Sequence, residues 1–103
     1  MKYSIYQIKD LTKDRVFTGL EKNETEIDLK KDAYEKVYEK SIDLDIELNG
    51  DEIFEFLKEL HYIFNVCHPQ GYKSRSLSLS DIVQINDKYY YCDNYGWTEI
   101  SVL

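Results

Sequence analysis

The spacing of hydrophobic and polar residues changes several times along the chain, and each change predicts a different element. Residues 3–9 mix β-branched and aromatic side chains in near alternation, which indicates an opening strand. Residues 15–20 hold too few apolar positions to define a period, so we interpret them as a short irregular or extended segment. Residues 25–40 change to a spacing of three and four residues, which predicts a helix. Its apolar stripe consists of Leu29, Ala33, Tyr34, Val37 and Tyr38.

The middle of the chain predicts a further strand and a second helix. Residues 42–48 alternate strictly between aliphatic and acidic side chains, which is typical of a half-buried strand. Asn49-Gly50-Asp51 then turns the chain into a helix that ends near Phe64. Its apolar residues recur on one face, so we expect that face to be buried.

The C-terminal third predicts a three-stranded meander. Residues 81–85 and 89–92 indicate a hairpin, and residues 97–102 indicate the last strand. We expect the N-terminal strand to join this sheet. The sequence therefore predicts an α+β fold in which two helices pack on an antiparallel sheet, in one domain that spans residues 1–103.

Composition indicates a folded protein of the cytoplasm. Hydrophobic residues make up 43% of the chain, which is enough apolar surface for a core. The N-terminus has no apolar run of signal-peptide length, and no stretch approaches the roughly 20 apolar residues of a membrane span. We therefore expect a cytoplasmic protein with no membrane contact. Cys67 and Cys92 are too few for a disulfide framework, so we expect both thiols to be free.

The charge of the chain is concentrated in its middle. The formal net charge is −7, from 20 acidic and 13 basic side chains. Residues 21–59 hold 14 of those acidic and 6 of those basic side chains. A negative field repels phosphate backbones and attracts basic surfaces. Direct binding of nucleic acid is therefore disfavoured, and a protein partner with a basic groove is favoured.

Ten carboxylates on three successive predicted elements would form acidic ridges. Their spacing along a helix or strand, roughly 5 to 7 Å, is similar to that of phosphates along a nucleic-acid strand. The competing interpretation is structural, because every soluble helix or strand turns charged residues to water. The carboxylates are Asp28, Asp32, Glu35 and Glu39 on the first helix, Asp43, Asp45 and Glu47 on the strand, and Glu52, Glu55 and Glu59 on the second helix.

Aromatic residues of the meander form a second candidate binding surface. Exposed tyrosine and tryptophan side chains commonly anchor protein interfaces, and a homodimer is one such use. Stacking on nucleic acid is the competing role, but the surroundings contain few basic residues. The residues in question are Tyr89, Tyr91, Tyr95 and Trp97.

Catalysis and metal binding are disfavoured by residue spacing. His61, Cys67, His68 and Cys92 lack the ligand spacing of a zinc site, so we expect no metal and no cofactor. The acidic ridges are predicted to be solvated, which leaves carboxylate pKa values unsuited to acid catalysis. In residues 74–81 we expect a turn that leads into a strand, with apolar leucines buried and Arg75 bridging acids.

Several short motifs, together with the opening strand and the Val37-Tyr38 pair, resemble the YodL-like domain family of bacterial proteins. The agreement is firmest from about residue 61 to residue 100 and weakest in the acidic block at residues 24–59. The motifs are Phe64-Asn65, His68-Pro69, Tyr72, Arg75-Ser76-Leu77-Ser78, Ser80-Asp81-Ile82-Val83, Tyr90-Tyr91, Asp93 and Gly96-Trp97.

The resemblance implies a setting rather than a chemistry. Such domains are frequent in proteins of phages, plasmids and conjugative elements, and the family offers no catalytic residues. Small acidic proteins in that setting often inhibit host defence nucleases, as anti-CRISPR proteins do. Our hypothesis is therefore a non-enzymatic inhibitor that binds the basic channel of an RNA-guided enzyme, such as a Cas9-type nuclease. The alternative is a general interaction or dimerisation module that uses the aromatic surface.

Overall fold

A mixed sheet with a single helix on one side forms the described part of the fold. The computed structural model describes residues 1–42 and 49–103. The predicted strand at residues 42–48, with Asp43, Asp45 and Glu47, therefore lies almost entirely outside the described residues. The elements are β1 (Lys2–Ile8), β2 (Glu26–Ile27), β3 (Tyr34–Ser41), α1 (Gly50–Val66), β4 (Ile82–Ile85), β5 (Lys88–Asp93) and β6 (Gly96–Val102).

The six strands are arranged in the order β2-β6-β5-β4-β1-β3. All neighbours are antiparallel except β2 and β6, which are parallel. The predicted arrangement of two helices on an antiparallel sheet is therefore wrong. The predicted meander is confirmed as β4-β5-β6, and the N-terminal strand joins it by pairing β1 with β4.

The predicted first helix, residues 25–40, is instead a short strand, a turn and the edge strand β3. The Asp28 side chain accepts hydrogen bonds from the backbone N–H groups of Lys30 and Lys31, both at 3.1 Å. This local pairing stabilises a turn at the expense of a helix. Ala33 then has a positive φ of 60°, which a helix would not allow.

A β-bulge explains why the apolar spacing of β3 is similar to that of a helix. Ile5 pairs with Tyr38 and Tyr6 pairs with Lys36, so Val37 is an extra residue in the strand. The bulge interrupts strict alternation. Tyr34 consequently packs on one face of the sheet, while Val37 and Tyr38 pack on the other. The apolar positions, which a helix would gather in one stripe, serve two opposite cores.

The helix predicted after Asn49 is confirmed as α1. The Asn49 side chain accepts a hydrogen bond from the N–H of Glu52 at 2.9 Å, which caps the first turn. The helix ends at Val66, two residues beyond the predicted end. Its buried side chains are Leu57, Leu60 and Phe64. Among the described residues, no helix has the length and apolar character needed to cross a membrane.

The two faces of the sheet carry separate cores. On the front face, α1 covers Tyr3, Ile5, Val83, Ile85 and Tyr90. On the back face, residues 10–33 form what we call the loop cover, which includes the short edge strand β2 and packs Ile27 against Ile82, Tyr91 and Ile100. Side chains alternate between faces along each strand, so neighbouring residues such as Tyr90 and Tyr91 belong to different cores.

Candidate functional site

The carboxylates of the first predicted ridge do not form a ridge, because their segment is not a helix. Asp28 caps the turn before β3. Glu35 and Glu39 are exposed on β3, with three residues between them, one of which is the bulge. Asp32 lies in the loop cover and binds Arg15, with 2.9 Å between its Oδ2 and the arginine Nε. The proposed resemblance to a row of phosphates is therefore absent at these four residues.

Arg15 uses the nearby carboxylates to hold the loop cover together. Besides Asp32, it binds both carboxylate oxygens of Glu24, at 3.2 and 2.5 Å. The guanidinium lies 5.8 Å from the centre of the Tyr91 ring, and the Tyr91 hydroxyl donates to the carbonyl of Thr18 at 2.7 Å. Hydrogen bonding to Arg15 lowers the pKa of Glu24. These acids are structural, because their charge is already paired.

Glu39 is also neutralised locally. Its Oε1 lies 2.9 Å from the ammonium of Lys2 and 3.1 Å from that of Lys36. Hydrogen bonds from these two lysines lower the pKa of Glu39 to about 2. A partner with a basic surface would have to displace both lysines to reach this carboxylate.

The carboxylates of α1 differ, because they remain exposed in one row. Within residues 1–42 and 49–103, no ion pair involves Asp51, Glu52, Glu55 or Glu59. A shallow groove of about 670 Å³ runs along this side of the helix, and the exposed Lys58 lines it beside the carboxylates. We call the surface formed by Asp51, Glu52, Glu55, Glu59 and Tyr62 the acidic helix surface.

Helix capping explains only part of this row. Acidic residues in the first turn interact favourably with the helix dipole, which accounts for Asp51 and Glu52. Glu55 and Glu59 lie beyond the first turn, where that effect has decayed. Tyr62 is 63% exposed on the same side. This side of α1 therefore combines exposed carboxylates with one exposed aromatic ring.

The four aromatic residues of the predicted second surface do not share one surface. Tyr91 is buried and Tyr89 is half-buried, both in or against the back core. Trp97 is half-buried and packs against the front core. Tyr95 lies fully exposed in the turn between β5 and β6. The alternation of β5 and β6 separates these side chains, as it does in any two-faced sheet.

Residues 74–81 form a buried polar network. The Arg75 guanidinium donates to both carboxylate oxygens of Asp81 at 2.9 Å, and Gln7 donates to Oδ2 at 3.0 Å. The backbone N–H of Ser78 also donates to Oδ2, at 2.8 Å, which closes the predicted turn. Asp81 is fully buried, and the loss of hydration raises its pKa to about 6 against the opposing effect of Arg75.

The network fastens the connection between α1 and β4 to the end of strand β1. Arg75 also donates to the carbonyl of Ile8 at 3.2 Å, and the Tyr72 hydroxyl donates to the carbonyl of Arg75 at 2.5 Å. As predicted, Arg75 bridges to an acid and Leu77 is buried, while Leu79 is only half-buried. All these donors and acceptors are satisfied internally, so we assign the segment a structural role.

The histidines and cysteines lie apart. Cys67 is exposed at the end of α1, while Cys92 is buried in β5, and burial raises its pKa to about 11. His68 pairs with Ser76 at 3.2 Å, and His61 pairs with Asn65. In the part of the chain that is described, no group of three or more metal-ligating side chains occurs.

One feature of the surface is not predicted by the sequence analysis. A cleft of about 360 Å³ lies between the start of α1 and the β4–β5 hairpin, with β6 beyond. Phe54, Tyr90, Asp87 and Glu99 contribute to its walls. The register that pairs Tyr90 with Glu99 follows from the hairpin, so the pattern of β5 and β6 carried a signal for this pair. The sequence gives no signal that α1 approaches this hairpin, because that approach depends on tertiary packing.

Comparison with known proteins places the chain in a family. The sequence profile of the YodL-like domain matches residues 2–102, which includes the acidic block. No match was found among curated proteins or among solved structures. The profile confirms the resemblance in the sequence and gives no support to an anti-CRISPR role. Since the match extends over nearly the whole chain, the protein belongs to the YodL-like domain family.

Proposed function

We propose that this domain is a non-catalytic binding module whose acidic helix surface docks on a basic surface of a protein partner. The observation that carries the proposal is the exposed row of Glu52, Glu55 and Glu59 beside Tyr62. Lys58 lies on the same side, but within residues 1–42 and 49–103 no cation forms an ion pair with the row, so the charge of this surface stays negative. Unpaired like charges in a row repel one another, so a basic partner gains from relieving that repulsion.

The helix is well suited to present this surface. Its opposite side is held by Leu57, Leu60 and Phe64 in the front core. A surface on a rigid element loses little conformational entropy when it binds, and substitutions on it leave the core intact. The carboxylates of the loop cover lack this freedom, because Arg15 already binds Glu24 and Asp32.

An RNA-guided nuclease is one partner with the required chemistry, since its channel is basic. The acidic helix surface supports this narrower hypothesis only through its charge. Among residues 1–42 and 49–103, only α1 retains the predicted carboxylate spacing, because Asp28, Asp32, Glu35 and Glu39 do not lie on a helix. We therefore propose binding to a basic protein surface, and inhibition of a Cas9-type nuclease is a special case for the same experiment.

The experiment compares two variants of equal net charge. Glu55→Lys/Glu59→Lys reverses two charges of the acidic helix surface, and Glu26→Lys/Glu35→Lys reverses two exposed charges on β2 and β3. Both would be titrated against a fluorescent oligo-arginine peptide and a panel of purified RNA-guided nucleases. We expect the α1 variant to lose about tenfold or more in affinity and the control to lose less than about threefold.

Salt and inhibition assays complete the test. Binding through the acidic helix surface should weaken with rising salt, because exposed charges are screened. Inhibition of one nuclease by the unmodified chain, lost in the α1 variant, would support the special case. Equal losses in the two variants would contradict the proposal, since they would show that only net charge matters.

A further inference from the structure

The cleft at the start of α1, which we call the helix-start cleft, has the form of a small recognition site. Its volume of about 360 Å³ lies within the range of pockets that hold small ligands or single side chains. Ile53, Phe54 and Ile85 supply apolar wall, and the polar groups stand at its rim. It borders the acidic helix surface, because Asn49 and Gly50 line the cleft directly before Asp51.

Tyr90 contributes a hydroxyl group to the helix-start cleft. The residue as a whole is only 2% exposed, and its ring meets that of Phe54 edge to face at 6.0 Å. Within residues 1–42 and 49–103, no side-chain oxygen is both buried and without a partner, and the Tyr90 hydroxyl makes no hydrogen bond there, so this hydroxyl reaches solvent. The hydroxyl is therefore open to a ligand in the cleft.

Two carboxylates accompany this hydroxyl. Glu99 lies opposite Tyr90 in the β5–β6 pairing, and Asp87 occupies the β4–β5 turn. Both carboxylates line the cleft together with Tyr90. Burial raises the pKa of Tyr90, and the negative charges of Glu99 and Asp87 raise it further. The three groups together offer hydrogen-bond acceptors beside an aromatic ring.

We propose that the helix-start cleft binds an arginine side chain of the protein partner, an inference that rests on the proposed function and adds an anchor to it. The planar guanidinium has five donors in a fixed fork, which suits two carboxylates and a hydroxyl oxygen. Its flat face can also stack on the Phe54 ring, which is 44% exposed. A lysine ammonium has the charge but lacks the fork and the stacking face.

Two positive groups also face the helix-start cleft. The amino group of Met1 is held by the carbonyl of Ile42 at 2.9 Å. Lys88 lines the cleft on an exposed, flexible stem. Its positive charge repels an incoming guanidinium. Removing the Lys88 charge should therefore strengthen binding, which distinguishes this site from a general attraction to aromatic surface.

The test uses N-acetyl-arginine methylamide as the probe and the whole chain as the receptor. Backbone amide and aromatic NMR signals of Phe54, Tyr90 and Glu99 should shift and saturate, with affinity on the order of millimolar for so small a ligand. The blocked norleucine analogue, which has no charge, should shift them far less. Glu99→Gln should weaken binding about tenfold, Tyr90→Phe about threefold, and Lys88→Gln should strengthen it about threefold.

Three results would overturn this inference. They are shifts that do not saturate, equal binding of arginine and norleucine probes, and unchanged affinity in Glu99→Gln. The unfolding midpoint of each variant checks that the variant is folded. If Glu99→Gln is poorly folded, Tyr90→Phe, which retains the aromatic ring, provides the test instead. If Glu55→Lys/Glu59→Lys loses the oligo-arginine peptide while Glu99→Gln keeps it, the cleft fails and the proposed function stands. If the cleft binds the arginine probe but the acidic helix surface binds no basic partner, the proposed function is rejected and the cleft remains an arginine site.

Discussion

The two faces of the sheet are covered by different chemistry. On the front, α1 contributes apolar side chains, and Phe64 packs edge to face against Tyr38 at 5.2 Å and Tyr72 at 4.8 Å. On the back, the loop cover contributes Leu20, Ile27 and Leu29, and Arg15 in addition binds two of its carboxylates. Carboxylates are therefore ion-paired in the loop cover, whereas those on the outer side of α1 remain exposed.

Acidic residues of one sequence segment have two different roles in the structure. Residues 21–59 have a uniform excess of acid in the sequence. In the structure, Glu24 and Asp32 bind Arg15, whereas Glu55 and Glu59 face outward on α1. Where packing is apolar, the carboxylates remain available for a partner. Where the apolar surface is small, they stabilise the fold.

The largest loss of stability is expected from truncating a buried side chain of α1. Phe64 is fully buried, so Phe64→Ala should lower the free energy of unfolding by about 4 kcal/mol through lost burial and a cavity. Urea denaturation followed by circular dichroism measures it. Tyr62→Ala on the outside of α1 is the control, with an expected change below about 0.5 kcal/mol. Similar losses in both variants would show that α1 is not held by the buried side.

The next largest effect is expected at the pair that fastens residues 74–81. Arg75→Ala leaves the buried Asp81 carboxylate without its counter-charge, which should cost about 3 kcal/mol. In the double variant Arg75→Ala/Asp81→Asn, a neutral amide replaces that charge, so part of the loss should be recovered. A double-mutant cycle on urea midpoints measures the recovery, and strictly additive losses would contradict the pairing.

A smaller effect is expected in the back cover. The Arg15 side chain and its two acidic partners are 16% to 26% exposed, so water weakens these pairs. Arg15→Gln should therefore cost about 1 to 2 kcal/mol, and hydrogen exchange should accelerate first in residues 10–33. Lys13→Gln serves as the neighbouring control. Uniform acceleration across β4 and β5 would contradict a local role.

The smallest effect concerns pH, where the two arginine sites should respond with opposite sign. The pKa of Asp81 is raised to about 6, above the ordinary value of about 3.9. Between about pH 4 and pH 6 the folded state thus binds more protons, and the free energy of unfolding falls as pH rises. The pKa of Glu24 is lowered by Arg15, so its contribution is instead lost as pH falls below its ordinary range.

Carboxyl ¹³C NMR titration measures both sites at once. Asp81 should titrate near pH 6 and Glu24 below its ordinary value of about 4.3. Asp81→Asn should abolish the decline in stability between about pH 4 and pH 6. An Asp81 midpoint below 4 would show that Arg75 outweighs burial.

Local pattern predicted the elements whose hydrophobic spacing is regular. The turn into α1 at Asn49, the apolar side of α1 and the hairpin of β4 and β5 follow from nearby residues, and the structure confirms them. The helix prediction for residues 25–40 failed because β3 places Tyr34 and Tyr38 on opposite faces across a bulge. A bulge depends on the partner strand, which lies far away in the sequence.

The candidate site was predicted only where the helix was predicted. Glu52, Glu55 and Glu59 are exposed on α1, as the sequence indicates. The aromatic surface failed because strand alternation divides Tyr91 from Trp97. The helix-start cleft could not be predicted, because it arises from the position of α1 over the end of the β4–β5 hairpin.

The central claim is that the outer side of α1 binds a basic partner. The most direct test is the affinity of the oligo-arginine peptide for Glu55→Lys/Glu59→Lys and for Glu26→Lys/Glu35→Lys at equal net charge. A loss of about tenfold or more in the first variant alone is the expected result. Equal affinity of the two variants for the peptide would contradict the account.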